Sequence, residues 1–161
     1  MLIKKLETEA EIDGKAFVHC RAWKEAYDGL LDASFLAGRT VEFSRQRARK
    51  AFADGILTLI AVDGERVVGF VGYGPASGEE GTGEIFALYV LEEYQRRGIG
   101  YALMREALSR LEGCRVVVLW ALKENDKAIR FYERVGFRPD GGEKEITLGA
   151  PVKGIRMAME R

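Results

Sequence analysis

Residues Gly83 to Leu111 (GEIFALYVLEEYQRRGIGYALMREALSRL) constrain this chain more than any other stretch. Glu84 to Val90 is apolar on both faces, through Ile85, Phe86, Ala87, Leu88, Tyr89 and Val90, as a strand buried inside a sheet is. Leu91 to Gly100 is a charged turn that ends in Gly98-Ile99-Gly100. Ile99, Leu103, Ala107 and Leu111 then recur at steps of four, which marks one helical face. A buried strand therefore feeds a basic, glycine-bearing loop that opens directly into a helix. The first N–H groups of a helix lack intrahelical partners and carry the positive end of its dipole. Gly98 and Gly100 let a ligand approach the backbone, and Arg96 and Arg97 add donors suited to phosphate oxygens. The unit is an anion site, most simply for a pyrophosphate.

Two common nucleotide loops do not fit. A Walker loop places Lys-Ser/Thr after its last glycine, and here Tyr101-Ala102 follows. A dinucleotide fingerprint needs a third glycine, where this chain has Leu103-Met104.

The rest of the chain reads as one mixed α/β domain over residues 1–161. Leu2 to Leu6 is a short strand, and Thr8 with Glu11 forms a capping box that starts a helix. Ile12, Ala16, Cys20, Trp23 and Tyr27 give that helix one apolar face, and Gly14 is a mild helix-propensity cost within it. Trp23 and Tyr27 are either core packing or the wall of an acceptor pocket. Asp32 to Gly38 and Val41 to Ala53 are two further helices. Arg45, Arg47, Arg49 and Lys50 on the last one read as a solvated face, and His19 as a surface or packed helix histidine. Ile56 to Val62 and Val67 to Tyr73 flank the hairpin turn Asp63-Gly64. Gly74 to Gly83 is an acidic, glycine-rich loop carrying Glu79 and Glu80. Arg115 to Leu122 is a second doubly apolar strand, and strand, crossover helix and strand predict a parallel pair. Asn125 caps a helix with an apolar face at Ala128, Phe131, Tyr132 and Val135, ended by Gly136. Asp140 to Gly142 is expected as a turn, with strands at Lys144 to Leu148 and Gly154 to Met159.

The 25 basic and 25 acidic residues balance to zero, which favours neither nucleic acid nor an anionic membrane as partner. No apolar run approaches the ~20 residues of a membrane span, and Met1 to Lys5 does not make a signal peptide. Cys20 and Cys114 then read as free thiols in a cytoplasmic protein. One histidine and two scattered cysteines make no common metal set, so no metal is expected.

Gln95-Arg96-Arg97-Gly98-Ile99-Gly100-Tyr101-Ala102 resembles the Q/R-x-x-G-x-G/A acetyl-CoA loop of the GNAT family of N-acetyltransferases. Asn125, Ala128, Tyr132, Gly136 and Phe137 resemble the other half of that family's cofactor site, and the likeness covers about residues 84 to 137. The resemblance implies a GNAT-like fold: a mixed sheet of six to seven strands flanked by four to five helices. It implies acetyl-CoA as co-substrate, held by Leu88, Tyr89, Val90, the loop from Gln95 to Ala102, and Asn125. It also implies an acceptor site near Trp23 and Tyr27, and Tyr132 close to the cofactor's sulfur. Homodimers occur in the family.

The chemistry has three demands. An amine with a pKa near 10.4 must lose a proton, and Glu84, a charge opening the central strand, is the leading general base. The tetrahedral oxyanion needs donors, which the Leu88 to Val90 backbone offers. The leaving thiolate needs a proton or hydrogen bond from Tyr132, uphill by about 2 kcal/mol for a phenol near 10 and a thiol near 8.5. The expected function is acetyl transfer to a primary amine of a small molecule or peptide, by direct attack in a ternary complex. A non-catalytic acyl-CoA-binding module is the alternative. Glu79, Glu80 and Glu84 point to a cationic acceptor.

Overall fold

The computed structural model describes residues 1–161. The strands are β1 (Leu2–Lys5), β2 (Leu57–Asp63), β3 (Arg66–Pro75), β4 (Thr82–Val90), β5 (Val116–Leu122), β6 (Arg138–Leu148) and β7 (Ala150–Glu160). The helices are α1 (Glu9–Tyr27), α2 (Ala33–Ala37), α3 (Val41–Ala53), α4 (Ile99–Ser109) and α5 (Asp126–Val135), with a 3₁₀ turn at Glu92–Tyr94. The strands form one sheet in the order β1-β2-β3-β4-β5-β7-β6. Only β4 and β5 run parallel, joined by the α4 crossover; the other neighbours are antiparallel. The seven strands and five helices agree with the expected mixed α/β architecture.

The sheet separates two cores. On one face Leu59, Val71, Ile85, Val117 and Leu119 meet Ile99, Leu103, Met104 and Ala107 of α4, with Phe131, Tyr132 and Val135 of α5 packed beside them. On the other face Ile60, Val67 and Phe70 meet Ile12, Ala16, Val18 and Ala22 of α1 and Ala48 of α3. Local signals start the helices as the residue types dictate. Thr8 Oγ1 accepts from Glu11 N–H at 3.2 Å while Glu11 Oε2 accepts from Thr8 N–H at 3.1 Å, a complete capping box.

Three expectations need correction. Strand β4 is not buried on both faces: Phe86 is 43% exposed, and Leu88 to Val90 are only half-buried, because β5 covers just the first part of its edge. Asp140 to Gly142 is no turn between elements; it is an irregularity inside β6, where the register slips between Pro139 and Glu143. Gly14 is required by packing and is more than a propensity cost. A Cβ there would lie 2.6 Å from Val67 Cγ2 and 2.9 Å from Val67 Cβ, so α1 sits on β3 only without it. Gly14→Ala gains about 1 kcal/mol of helix propensity but overpacks this contact at a cost of about 1–3 kcal/mol. We expect a lowered urea midpoint; a raised one would show that α1 shifts freely on the sheet.

Candidate active site

The site begins with a split in the sheet. Strands β4 and β5 pair only from Thr82 to Ile85, opposite Val116 to Leu119. From Phe86 to Val90, β4 keeps its partner on the β3 side and has no strand on the β5 side. A bulge coincides with the start of the split: Gly72 pairs with Ala87, whereas Tyr73 pairs with Ile85, leaving Phe86 as the extra residue. The bulge changes which side chains share a face. Simple alternation would group Glu84 with Leu88 and Val90. Instead Ile85, Leu88 and Val90 pack toward α4, and Ala87 and Tyr89 pack toward α1. Glu84, opposite Gly74, falls in register with Ala87 and Tyr89 on the α1 face.

The loop after β4 leads into α4 through two left-handed residues, Arg96 at φ 60° and Gly98 at φ 77°. Gly98 is the N-cap of α4 and supplies no side-chain hydrogen bond, whereas Thr8, Thr40 and Asn125 cap α1, α3 and α5 through their side chains. The backbone N–H groups from Arg96 to Tyr101 find no acceptor within the protein; the first helical bond is Ala102 N–H to Gly98 C=O, at 2.9 Å. The end of α4 thus presents a row of free donors at the positive end of its dipole. A Cβ at Gly98 would meet nothing within 4 Å, so the space over the loop is open. Arg96, Arg97, Tyr101 and Ala102 are exposed around it, and Arg97 stacks on Tyr94 with its guanidinium 5.2 Å from the ring centre. Two loop side chains are committed elsewhere. Gln95 donates to Val90 C=O at 3.0 Å and accepts from Lys127 Nζ at 2.8 Å, which ties the loop to β4 and α5. Ile99 is buried in the α4 core, leaving only its backbone for a ligand.

Helix α5 lines the other side of the split. Asn125 Oδ1 accepts from Ala128 N–H at 3.2 Å and caps the helix, while its Nδ2 makes no hydrogen bond within the protein. Tyr132 packs between Phe131 and Phe137, at ring separations of 5.6 and 6.3 Å. Its hydroxyl has no partner, and burial, helped by the neighbouring Tyr27, pushes its pKa far above the usual phenol value.

On the α1 face, Tyr89 is the centre of an aromatic cluster. Its hydroxyl accepts from Trp23 Nε1 at 2.7 Å and bonds the Tyr27 hydroxyl at 3.0 Å, and His19 stacks on its ring at 5.4 Å. Beside the cluster lies a cavity of about 110 Å³ lined by His19, Trp23, Arg39, Phe43, Ser44 and Arg47, among others. The three acidic candidates do not form a free negative patch. Glu79 accepts from Arg156 Nη2 at 2.7 Å, and Glu80 is exposed. Glu84 is half-buried: burial raises its carboxyl pKa, Lys144 and Arg156 draw it down, and Glu79 raises it.

His19 is the packed histidine that the sequence allowed, whereas the solvated face expected of the α3 basic residues does not hold for Arg47. His19 is part of the Tyr89 cluster, and Arg47 faces the cavity while its neighbours Arg45 and Arg49 pair with Asp13. The spacing of Lys15, His19 and Trp23, each four apart on α1, is the signal that links them.

Burial, and then the charges of Lys15, Arg47 and Arg39, lower the His19 pKa to about 4. A depressed base means that the unfolded chain, with a histidine near 6.5, takes up its proton first as pH falls. His19 therefore contributes stability above pH 6.5 that is lost down to pH 4, by about 3 kcal/mol at most. Denaturant titrations of wild type and His19→Asn over that window should show the smaller loss in the variant. Parallel losses would place His19 in water.

Comparison with known proteins agrees with this geometry. The family model described as "Acetyltransferase (GNAT) family" matches residues 19–137. A probable N-acetyltransferase of Mycobacterium tuberculosis is 33% identical over 147 residues, covering 88% of this chain and 81% of the relative. An uncharacterized N-acetyltransferase of Bacillus subtilis, YuaI, is 31% identical over 160 residues, covering 91% and 90%. Among solved structures, the PaiA N-acetyltransferase from Thermoplasma acidophilum in complex with coenzyme A superimposes over the whole of both chains with a TM-score of 0.75 at 19% identity, a likeness of fold. No helix of this chain is long and apolar enough to cross a membrane. The family model and the two full-length relatives together show that the chain belongs to the GNAT family of acetyltransferases.

Proposed function

We propose that this protein transfers an acetyl group from acetyl-CoA to an amine by direct attack in a ternary complex. The observation that carries the reading is the uncapped N-terminus of α4, with its row of free N–H groups beside the place where β4 and β5 part. The cofactor's pyrophosphate sits on those N–H groups, with Arg96 and Arg97 as flanking cations. Its pantetheine arm takes the place of the missing strand along Leu88 to Val90, in the manner of β-augmentation. The free Nδ2 of Asn125 is a donor for that arm.

The acceptor amine enters from the α1 face and attacks the thioester carbon. The new C–N bond forms, the carbonyl electrons move onto oxygen, and backbone N–H groups at the splayed Leu88 to Val90 end of β4 stabilise the oxyanion. Collapse of the intermediate breaks the C–S bond. Glu84 takes the amine proton, directly or through water; burial moves its carboxyl toward the neutral range, which improves it as a base. The high pKa of Tyr132 makes full proton transfer to a thiolate near 8.5 costlier than for an ordinary phenol. Tyr132 therefore acts on the leaving sulfur as a hydrogen-bond donor, and the proton follows from solvent.

Three variants test these roles. Tyr132→Phe should lower kcat at least tenfold with little change in acetyl-CoA affinity; an unchanged kcat removes Tyr132 from the chemistry. Gly100→Val puts its β-carbon 3.6 Å from Phe131, at ordinary contact distance, and adds two methyls beyond it. It should abolish acetyl-CoA binding by calorimetry in a protein that still melts cooperatively. In wild type, kcat/KM should rise with pH through a limb above the usual carboxyl value, and Glu84→Gln should remove that limb. Free-thiol release from acetyl-CoA, with and without a panel of amines, tests the reading itself: binding without release from any amine would favour an acyl-CoA-binding module.

A further inference from the structure

The cavity beside the Tyr89 cluster has a charge that the acetyl-transfer site does not require. Two cations, Arg39 and Arg47, line it, and a third, Lys15, lies behind His19. Arg39 is stacked among three rings, its guanidinium carbon 4.9 Å from Trp23, 4.6 Å from Phe35 and 4.5 Å from Phe43. Arg47 lines the cavity from α3. Lys15, only 7% exposed, sits one helical turn before His19, with its ammonium over Phe70 at 5.1 Å. No carboxylate lies within 4.0 Å of any of the three. The contrast is local, because Arg45, Arg49 and Lys50 of α3 all have carboxylate partners. Ser44, 4% exposed, lines the same cavity, and its hydroxyl makes no hydrogen bond within the protein.

A buried cation without a counter-ion is costly, and Lys15 is one, whereas Arg39 is half-buried and Arg47 is exposed. Burial, and next the charge of Arg47, lowers the Lys15 pKa to about 8, so at neutral pH the protein still carries the charge. Stability alone would put an apolar side chain at this position. A volume of about 110 Å³ is room for a few waters or one carboxylate or phosphate group. The cavity also shares Trp23 and His19 with the cluster that contacts Tyr89 of the split strand. An acceptor anchored there is held next to the proposed path of its amine. The β6–β7 turn closes this side: a Cβ on Gly149 would lie 2.7 Å from Phe35 Cβ, so the turn packs directly on the ring that stacks with Arg39.

We propose that this cavity is the recognition site for an anionic oxygen group, carboxylate or phosphate, on the acceptor, so that the substrate class is an amine that also bears an acid. The part of this inference that concerns the amine rests on the acetyl-transfer reading; the anion site itself does not. Arg47 and Ser44 supply donors to the anion, Arg39 supplies charge held rigid by its aromatic stack, and Lys15 adds charge from behind.

Two measurements test it. The first is thiol release with matched acceptors: lysine against cadaverine, tyrosine against tyramine, and glucosamine 6-phosphate against glucosamine. The acidic member of at least one pair should have a kcat/KM at least tenfold higher. Arg47→Met should erase that preference mainly through KM. The pairs separate carboxylate from phosphate, and a preference for the uncharged or cationic members would overturn the proposal. The second needs no turnover. The chain has two tryptophans, Trp23 and Trp120, so in a Trp120→Phe background the emission reports on Trp23. Inorganic phosphate and N-acetylglutamate are titrated in separate arms. Saturable quenching in one arm, weakened at least tenfold by Arg47→Met and by Lys15→Met, supports the site. Lys15→Met should at the same time raise Tm by about 2 °C or more, a combination that a lysine kept for structure does not give. Silent thiol release with a responsive Trp23 would sink the acetyl-transfer reading and leave the anion site standing. A Trp23 silent to both anions would sink the anion site, whatever the enzyme assay shows.

Discussion

The incomplete pairing of β4 with β5 is the constraint from which the rest of the site follows. A parallel pair normally runs its hydrogen bonds along the full shared length. Here the ladder stops at Ile85 and Leu119, and β4 continues beside β3 alone. Beside the split the core is closely packed. Leu103 of α4 and Phe137 after α5 are fully buried in the same core as Ile85 and Leu119. An unpaired strand edge is costly, and in the proposed function the cofactor's arm fills it.

The bulge at Phe86 makes the split chemically useful. One extra residue shifts the phase of the strand, so that Glu84 and Tyr89 lie on one face while Ile85, Leu88 and Val90 remain in the α4 core. A single strand thereby presents its backbone at the split and its side chains to the α1 face, the two uses the proposed reaction needs. Tyr89 shows both uses: its main chain borders the groove, and its hydroxyl joins Trp23 and Tyr27 across about sixty residues of sequence.

Much of this was legible beforehand. The loop from Gln95 to Gly100 and the helix from Asn125 to Gly136 carry their geometry in local signals: glycines, a cap, and apolar residues at helical spacing. Both appear where expected, as do Thr8 with Glu11 and the Asp63-Gly64 turn. The failures share one cause. Gly14 reads as a weak helix residue until Val67, some fifty positions later, is found against it. Arg47 reads like Arg45 and Arg49 until α1 arrives with Asp13 for two of them and none for the third. Glu79 reads as part of an acidic patch until β7 brings Arg156 to it.

The sequence by itself determined the family, the order of elements and the glycine-bearing loop that opens α4, because each of these depends on residues close together along the chain. Tertiary structure alone decided the phase of β4, the fate of each charge and the lining of the cavity beside Tyr89. Register and charge pairing are set between distant segments, and one residue of bulge or one absent partner reverses the outcome. Local composition places three arginines and a lysine on α3. Only the packing of α1, α2 and the β6–β7 turn around that helix left one of those arginines facing a cavity without a counter-ion.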